Sequence, residues 1–185
     1  REFWQCDADI VGPSSTLADA EAISVLVDAL HAIGLGRAVV QINHRKVLSS
    51  LAEMAGVPAD QAPTIYRSID KLDKIGRDGV FGDLQKHGVS DAAANQILDI
   101  VTSTGDSDTL LDLASQRLQG FAAGVAAVEE LRELVDHIEL LGVPKNAYQI
   151  NLALARGIDY YTGPVYEAVV EQPKVGSVAG GGRYD

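Results

Sequence analysis

The sequence predicts an α+β protein in which a mostly antiparallel sheet with flanking helices is interrupted by an all-helical insertion. Three observations predict it. Apolar and polar residues alternate in twos near the start of the 185-residue chain and again near its end. Between about residues 46 and 145 the apolar residues instead recur at spacings of three and four. Clusters of glycine, proline and serine mark where one pattern gives way to the other. The implied organisation is a sheet-forming segment over 1–45, a helical insertion over 46–145 and a second sheet-forming segment over 146–185.

Residues 2–12 place Trp4, Cys6, Ala8 and Ile10 on one side and Arg1, Gln5, Asp7 and Asp9 on the other, with Phe3 as the exception. Such alternation puts each set on one face of a strand. Gly12-Pro13-Ser14-Ser15 ends that strand and supplies a helix N-cap. Leu17, Ala20, Ile23, Leu26 or Val27, Leu30 and Ile33 then follow helical spacing, closed by Gly34 or Gly36. Ala38 to Ile42 reads as a short buried strand.

Within the insertion, Val47, Leu48, Leu51 and Met54 form a first stripe, ended by Gly56. A second helix is expected from Pro63 to about Ile75. Ser90 caps a third, carrying Ala93, Ile97, Leu98 and Val101, and Thr109 to Leu118 forms a fourth. The fifth runs from Ala122 to Leu141. Its core stripe is Val125, Val128, Leu131, Leu134, Val135 and Ile138, with Glu129, Glu130, Arg132, Glu133 and Asp136 on the solvent side. Strands return at Tyr148 to Leu154, Val165 to Val170 and Ser177 to Gly182.

Composition narrows the function. No apolar run approaches the roughly twenty residues a membrane helix needs, and the opening residues do not resemble a signal peptide. A single cysteine, Cys6, excludes an internal disulfide and fits a reducing, cytosolic setting; on the apolar face of its strand it is expected to be a buried, inert thiol. The net charge of −11 argues against nucleic-acid binding by a broad basic surface, though a local patch or a further domain could still touch RNA. The chain opens without an initiator methionine and Asp185 closes a glycine-rich run, so a piece of a longer protein is expected.

Three places carry polar groups in unusual density. Gln5, Asp7 and Asp9 share one strand face, either solvated or flooring a pocket with Gln5 and Asp9 about 13 Å apart. Arg156-Gly-Ile-Asp-Tyr-Tyr-Thr-Gly163 reads as a turn between strands, yet paired tyrosines beside an arginine need polar partners. Its guanidinium suits a phosphate or carboxylate, to which it makes forked bonds. Ala179-Gly-Gly-Gly-Arg-Tyr184 admits a linker, a bulged strand or backbone close to a ligand. It lacks the Gly-Lys-Ser/Thr ending of a P-loop and the strand-turn-helix order of a dinucleotide fingerprint. His31, His44, His87 and His137 show no metal-ligand spacing and read as surface or packing residues.

Together these segments resemble the histidyl-tRNA synthetase family. Arg1 to Gly12 resembles the return strand of class II motif 2; Arg156 to Gly163 and Ala179 to Asp185 are similar to the two histidine-specific motifs, in the right order. The resemblance implies a class II synthetase-type sheet and a ligase that activates histidine with ATP and passes it to tRNA(His). It implies that Gln5 holds the amino end of histidine, that Asp9 and Tyr161 grip the imidazole nitrogens, and that Tyr184 lines the same pocket. Arg156 would bind the α-phosphate of ATP, with Arg1 near the ATP or acceptor-end site. ATP as substrate, Mg2+, a homodimer of the full-length protein and a cytoplasmic setting are further expectations from the family, with no protein metal ligand identified.

By the same resemblance, motif 1 and the start of motif 2 would precede Arg1, and motif 3 and an anticodon-binding domain would follow Asp185. A fragment of this extent is expected to be inactive alone. Synthetase-like relatives that regulate ATP phosphoribosyltransferase or serve as sensor domains are the competing class; they can keep parts of both motifs. The insertion would lean on the tRNA acceptor stem, with Lys71, Lys74 and Arg77 as its basic residues, although acidic neighbours dilute them.

Overall fold

A computed structural model describes residues 2–156, 160–170 and 176–185. Among these residues it has seven helices and a four-stranded sheet. The helices are α1 (Thr16–Ala32), α2 (Arg45–Met54), α3 (Ala62–Ile69), α4 (Leu72–Lys86), α5 (Asp91–Val101), α6 (Ser107–Arg117) and α7 (Ala122–Leu140). The strands are β1 (Val39–His44), β2 (Tyr148–Ile150), β3 (Pro164–Val170) and β4 (Gly176–Gly182), in the order β2-β1-β3-β4.

β1 pairs parallel with β2 and antiparallel with β3, which pairs antiparallel with β4. The sheet is thus mixed but mostly antiparallel. The parallel pair has a topological consequence. The chain leaves β1 at His44 and returns beside it at Tyr148 only after α2 to α7, a crossover of the kind a parallel neighbour requires.

The helices begin and end where local chemistry dictates. Ser15, Ser90 and Asp106 cap α1, α5 and α6 by accepting from the backbone amides of Leu17, Ala93 and Thr109. The helix expected over Pro63 to Ile75 is instead nearly all of α3 and the start of α4. α3 stops at Ile69, and the Asp83 carboxylate accepts from Ser68 Oγ at 2.9 Å and from Lys71 Nζ at 2.8 Å, tying α4 back against α3. Inside α4 the backbone kinks at Gly76, whose φ of 68° and ψ of 177° no side-chain-bearing residue adopts cheaply. The glycines within Gly76 to Gly82 hide this helix from periodicity.

One apolar core joins sheet and helices: Val40, Ile42 and Ala168 from the sheet, Ile23 from α1, Leu98 from α5 and Leu131 and Leu134 from α7. α7 packs against α1, α2, α6 and β1. Each of these fully buried Leu and Ile side chains contributes on the order of 1.5–3 kcal/mol. No helix among the described residues is long and apolar enough to cross a membrane.

Two expectations are corrected. Residues 2–12 form no strand: Trp4 is 96% exposed, Val11 86%, and Cys6 is exposed rather than buried. Alternation states which side a strand would bury, but burial needs a neighbouring strand to supply a ladder, and no described strand pairs with this segment. Glu130 does not cover the solvent side of α7. Its carboxylate turns inward, accepting from Arg183 and, at 3.1 Å, lying against His44 Nε2.

His44 is wholly buried and does two jobs. Its Nδ1 accepts from the Lys46 amide at 3.0 Å, capping α2, while Nε2 faces Glu130. Those partners require the neutral tautomer with the proton on Nε2. Burial holds the imidazole below its ordinary pKa, against an upward pull from Glu130. A group that binds its proton less readily when folded stabilises fully above its unfolded value near 6.5 and progressively less as pH falls below it. Unfolding free energies from urea titrations between pH 7.5 and 5.5 should therefore fall, by at most about 1.4 kcal/mol per pH unit for one proton. His44→Asn keeps a capping oxygen and should flatten that slope while lowering stability overall; an unchanged slope would remove His44 as its source.

Candidate substrate pocket

β3 and β4 bring the two motif segments together. Pro164 begins β3 directly after the Tyr160–Gly163 turn, and Gly182 ends β4 directly before Arg183 and Tyr184. The antiparallel register sets Val165 opposite Gly182 and Tyr166 opposite Gly181. Beyond the ladder, the Thr162 amide donates to the Arg183 carbonyl at 2.8 Å and the Arg183 amide to the Pro164 carbonyl at 3.0 Å. The turn and the strand end are therefore one unit.

Against this unit lies a cavity of about 280 Å³ lined by Leu154, Arg156, Tyr161, Val165, Tyr166, Gly180 and Gly181. The glycine run is explained by aromatic rings. A Cβ on Gly181 would lie 2.5 Å from Tyr166 Cε2, and one on Gly182 would lie 2.7 Å from Tyr161 Cγ and 2.8 Å from the Pro164 carbonyl oxygen. Bare backbone there lets two tyrosine rings lie flat against the strand. Gly180 is different: its nearest neighbour would be the Tyr166 carbonyl oxygen at 3.4 Å.

The anticipated site residues divide. Asp9, Tyr161 and Tyr184 converge: Tyr184 donates its hydroxyl to Asp9 Oδ1 at 3.0 Å, stacks on Tyr160 at 5.8 Å, and Tyr160 meets Tyr161 edge-on at 5.2 Å. Burial pushes the Tyr161 phenol up, and Tyr160 and Asp9 add to the shift. The hydrogen bond to Asp9 raises that of Tyr184. Arg156 lines the cavity and is paired with Glu167 of β3. Gln5 stays apart, its amide donating to Asp7 at 2.7 Å. Arg1 and the Gly157–Asp159 part of the motif lie outside the described residues.

Three residues at the site have roles that no local pattern shows. Tyr166 is a β3 residue of ordinary appearance, yet its ring covers Gly181 and burial, with Asp19 adding, pushes its phenol up to about 12. Glu167 partners Arg156 from the same strand. Arg183 reaches Asp19 of α1 and Glu130 of α7, contacts that join residues 164 and 53 positions apart. Only the triple glycine hinted at such crowding.

This geometry can present alternating donors and acceptors to a small, flat polar ligand, with a guanidinium at the rim for an anionic group. Gly182→Ala should destabilise the chain by about 1–3 kcal/mol, the usual range for forcing an extra methyl into packed surroundings. Gly180→Ala should stay within about 0.5 kcal/mol. Equal urea midpoints for the two variants would refute the close-approach account.

The family model described as histidyl-tRNA synthetase matches residues 1–185. The histidine–tRNA ligase of Gloeobacter violaceus is 42% identical over all of this chain and 39% of its own length. A crystal structure of histidyl-tRNA synthetase from Nostoc sp. PCC 7120 superposes with a TM-score of 0.88 at 34% identity, over 94% of this chain and 41% of that one. An ATP phosphoribosyltransferase regulatory subunit/histidyl-tRNA synthetase from Bacillus halodurans gives 0.78 at 23% identity, over 94% and 44%, a likeness of fold alone. The chain thus spans about two fifths of the length of the curated relatives it matches. Matched from end to end by the family model and by ligases at about 40% identity, the chain belongs to the histidyl-tRNA synthetase family.

Proposed function

We propose that this chain supplies the histidine pocket and the α-phosphate arginine of a cytoplasmic histidine–tRNA ligase. The observation that carries the reading is the convergence of Asp9, Tyr161 and Tyr184 beside a cavity with Arg156 at its edge. An imidazole has one nitrogen that donates and one that accepts, and a carboxylate beside tyrosine hydroxyls answers both. Any other amino acid leaves those groups unpaired, which is how such a pocket discriminates strongly. Gln5 would hold the amino group of histidine once its segment is paired in a larger sheet, and Arg1 would lie near ATP or the acceptor end.

The reaction needs no enzyme nucleophile. A carboxylate oxygen of histidine attacks the α-phosphorus of ATP, the bond to pyrophosphate breaks, and histidyl-adenylate forms. Negative charge grows on the α-phosphoryl oxygens, and Arg156 would offset it. Its present partner is Glu167, so the guanidinium would trade that carboxylate for the phosphate. Mg2+ is expected with ATP, yet the described residues include no group of three or more His, Cys, Asp or Glu placed to hold a metal. No residue of this chain is assigned to the ion and no step is routed through it.

Residues 46–145 we read as the family's helical insertion, supported by the side-by-side placement of β1 and β2 across it. Its contact with the acceptor stem of tRNA(His) would fall mainly to Lys74, since Lys71 is bridged to Asp83 at 2.8 Å and Arg77 to Asp99 at 2.7 Å. The full-length protein would act as a homodimer.

Four measurements test these readings. The 185-residue chain alone should show no histidine-dependent pyrophosphate exchange; robust exchange would overturn its assignment as a partial site. In the complete ligase, Arg156→Ala should lower kcat for exchange by about 10²–10³-fold, the range for losing one donor to a developing oxyanion. Tyr161→Phe should instead act mainly on the KM for histidine, and the regulatory-subunit alternative predicts histidine binding with no exchange in any variant. Lys74→Glu should weaken charging of tRNA(His) while sparing exchange; equal charging would count against acceptor-stem contact.

A further inference from the structure

We propose that Arg183 is the positioning residue of the pocket: forked between Asp19 of α1 and Glu130 of α7, it fixes the end of β4 so that Tyr184 meets Asp9 beside the cavity that Tyr161 lines. The functional half of this inference rests on the histidine-pocket reading above; the structural half does not.

The guanidinium is engaged on two sides. Its Nε donates to Asp19 Oδ1 at 3.3 Å and its Nη2 to Asp19 Oδ2, while Nη1 donates to Glu130 Oε1. The other Glu130 oxygen lies 3.1 Å from His44 Nε2. One side chain therefore links α1, α7 and the β1–α2 junction. Burial alone would lower the guanidinium's affinity for its proton, but Asp19 and Glu130 more than reverse this. Burial pushes the Asp19 carboxyl up despite Arg183; burial does the same to Glu130, but Arg183 and His44 outweigh it and leave that group below its ordinary value.

The backbone of the same residue holds the turn. Its carbonyl accepts from the Thr162 amide at 2.8 Å and from Thr162 Oγ1 at 3.3 Å, and its amide donates to the Pro164 carbonyl. Gly163 lies close against its side chain, where a Cβ would sit 3.3 Å from Cδ. Tyr161 precedes this clamp and Tyr184 follows it.

Burying one cation and two carboxylates is a weak route to stability, because apolar side chains of equal volume often do as well. What apolar packing cannot supply is direction. A planar fork with fixed donor angles sets the rotation of the strand end, and a lysine, with one point charge, cannot satisfy both carboxylates in that geometry. The cluster accordingly orients the strand end rather than merely holding it.

Amide hydrogen exchange on the 185-residue chain tests the structural half. In Arg183→Lys, and more mildly in Glu130→Gln, protection of the Thr162 amide should fall at least tenfold relative to Val40 and Leu131. Unchanged Thr162 protection, or a parallel fall at all three, would overturn the proposal. Steady-state kinetics of the complete ligase test the functional half. Arg183→Lys should raise the KM for histidine about tenfold more than that for ATP, and this difference should vanish in a Tyr184→Phe background, as it must if Arg183 acts through Tyr184. Loss of Thr162 protection with an unmoved histidine KM would leave the clamp standing and overturn the functional half, whereas the histidine reading itself falls only if Tyr161→Phe also leaves that KM unmoved.

Discussion

The structure depends on β1 having neighbours on both edges. Six residues, Val39 to His44, pair with β3 along one side, and Val40 to Ile42 pair with β2 along the other. A strand so placed has its backbone groups satisfied, so its side chains can be given over to the interior: Val40, Ile42, Asn43 and His44 are all buried. Asn43 donates to the carbonyls of Leu152 and Leu154, holding the stretch that leads from β2 to Arg156. His44 caps α2 and faces Glu130. Both ends of the pocket are thus referred to one strand.

From that strand the site is assembled by close approach rather than by a dedicated loop. β3 lies against β1, β4 lies against β3, and two glycines of β4 leave the space that the Tyr161 and Tyr166 rings occupy. The tyrosines are oriented by contact with bare backbone, and the Tyr160–Tyr184 stack extends the surface to Asp9. Aromatic packing of this kind fixes a polar hydroxyl with little residual freedom. The helical layer enters through charge. Asp19 from α1 and Glu130 from α7, far apart in sequence, converge on Arg183.

Much of this was legible beforehand. The caps at Ser15 and Ser90, the stripe of α7 and the strands at β3 and β4 follow from local rules that operate within a few residues. The motif pair marked Arg156, Tyr161 and Tyr184, and the first segment marked Asp9; the structure joins Tyr184 to Asp9 and links Tyr161 to Tyr184 through Tyr160. What stayed hidden had non-local causes. α4 was masked because glycine weakens helix periodicity while a bend at Gly76 still lets both halves pack. Gln5 and Cys6 alternate as a strand would, yet no described strand lies beside them to form a ladder.

By itself the sequence determined the class of fold, the positions of most elements and the family, because these rest on periodicity, capping chemistry and short motifs written in consecutive residues. Tertiary structure alone decided that β2 runs parallel to β1, that Glu130 turns inward, and that Arg183, Tyr166 and Glu167 belong to the site. The physical reason is the same in each case. Strand order and ion pairing are chosen by which distant groups can satisfy one another once the core has closed, and no local pattern records a partner 53 or 164 residues away.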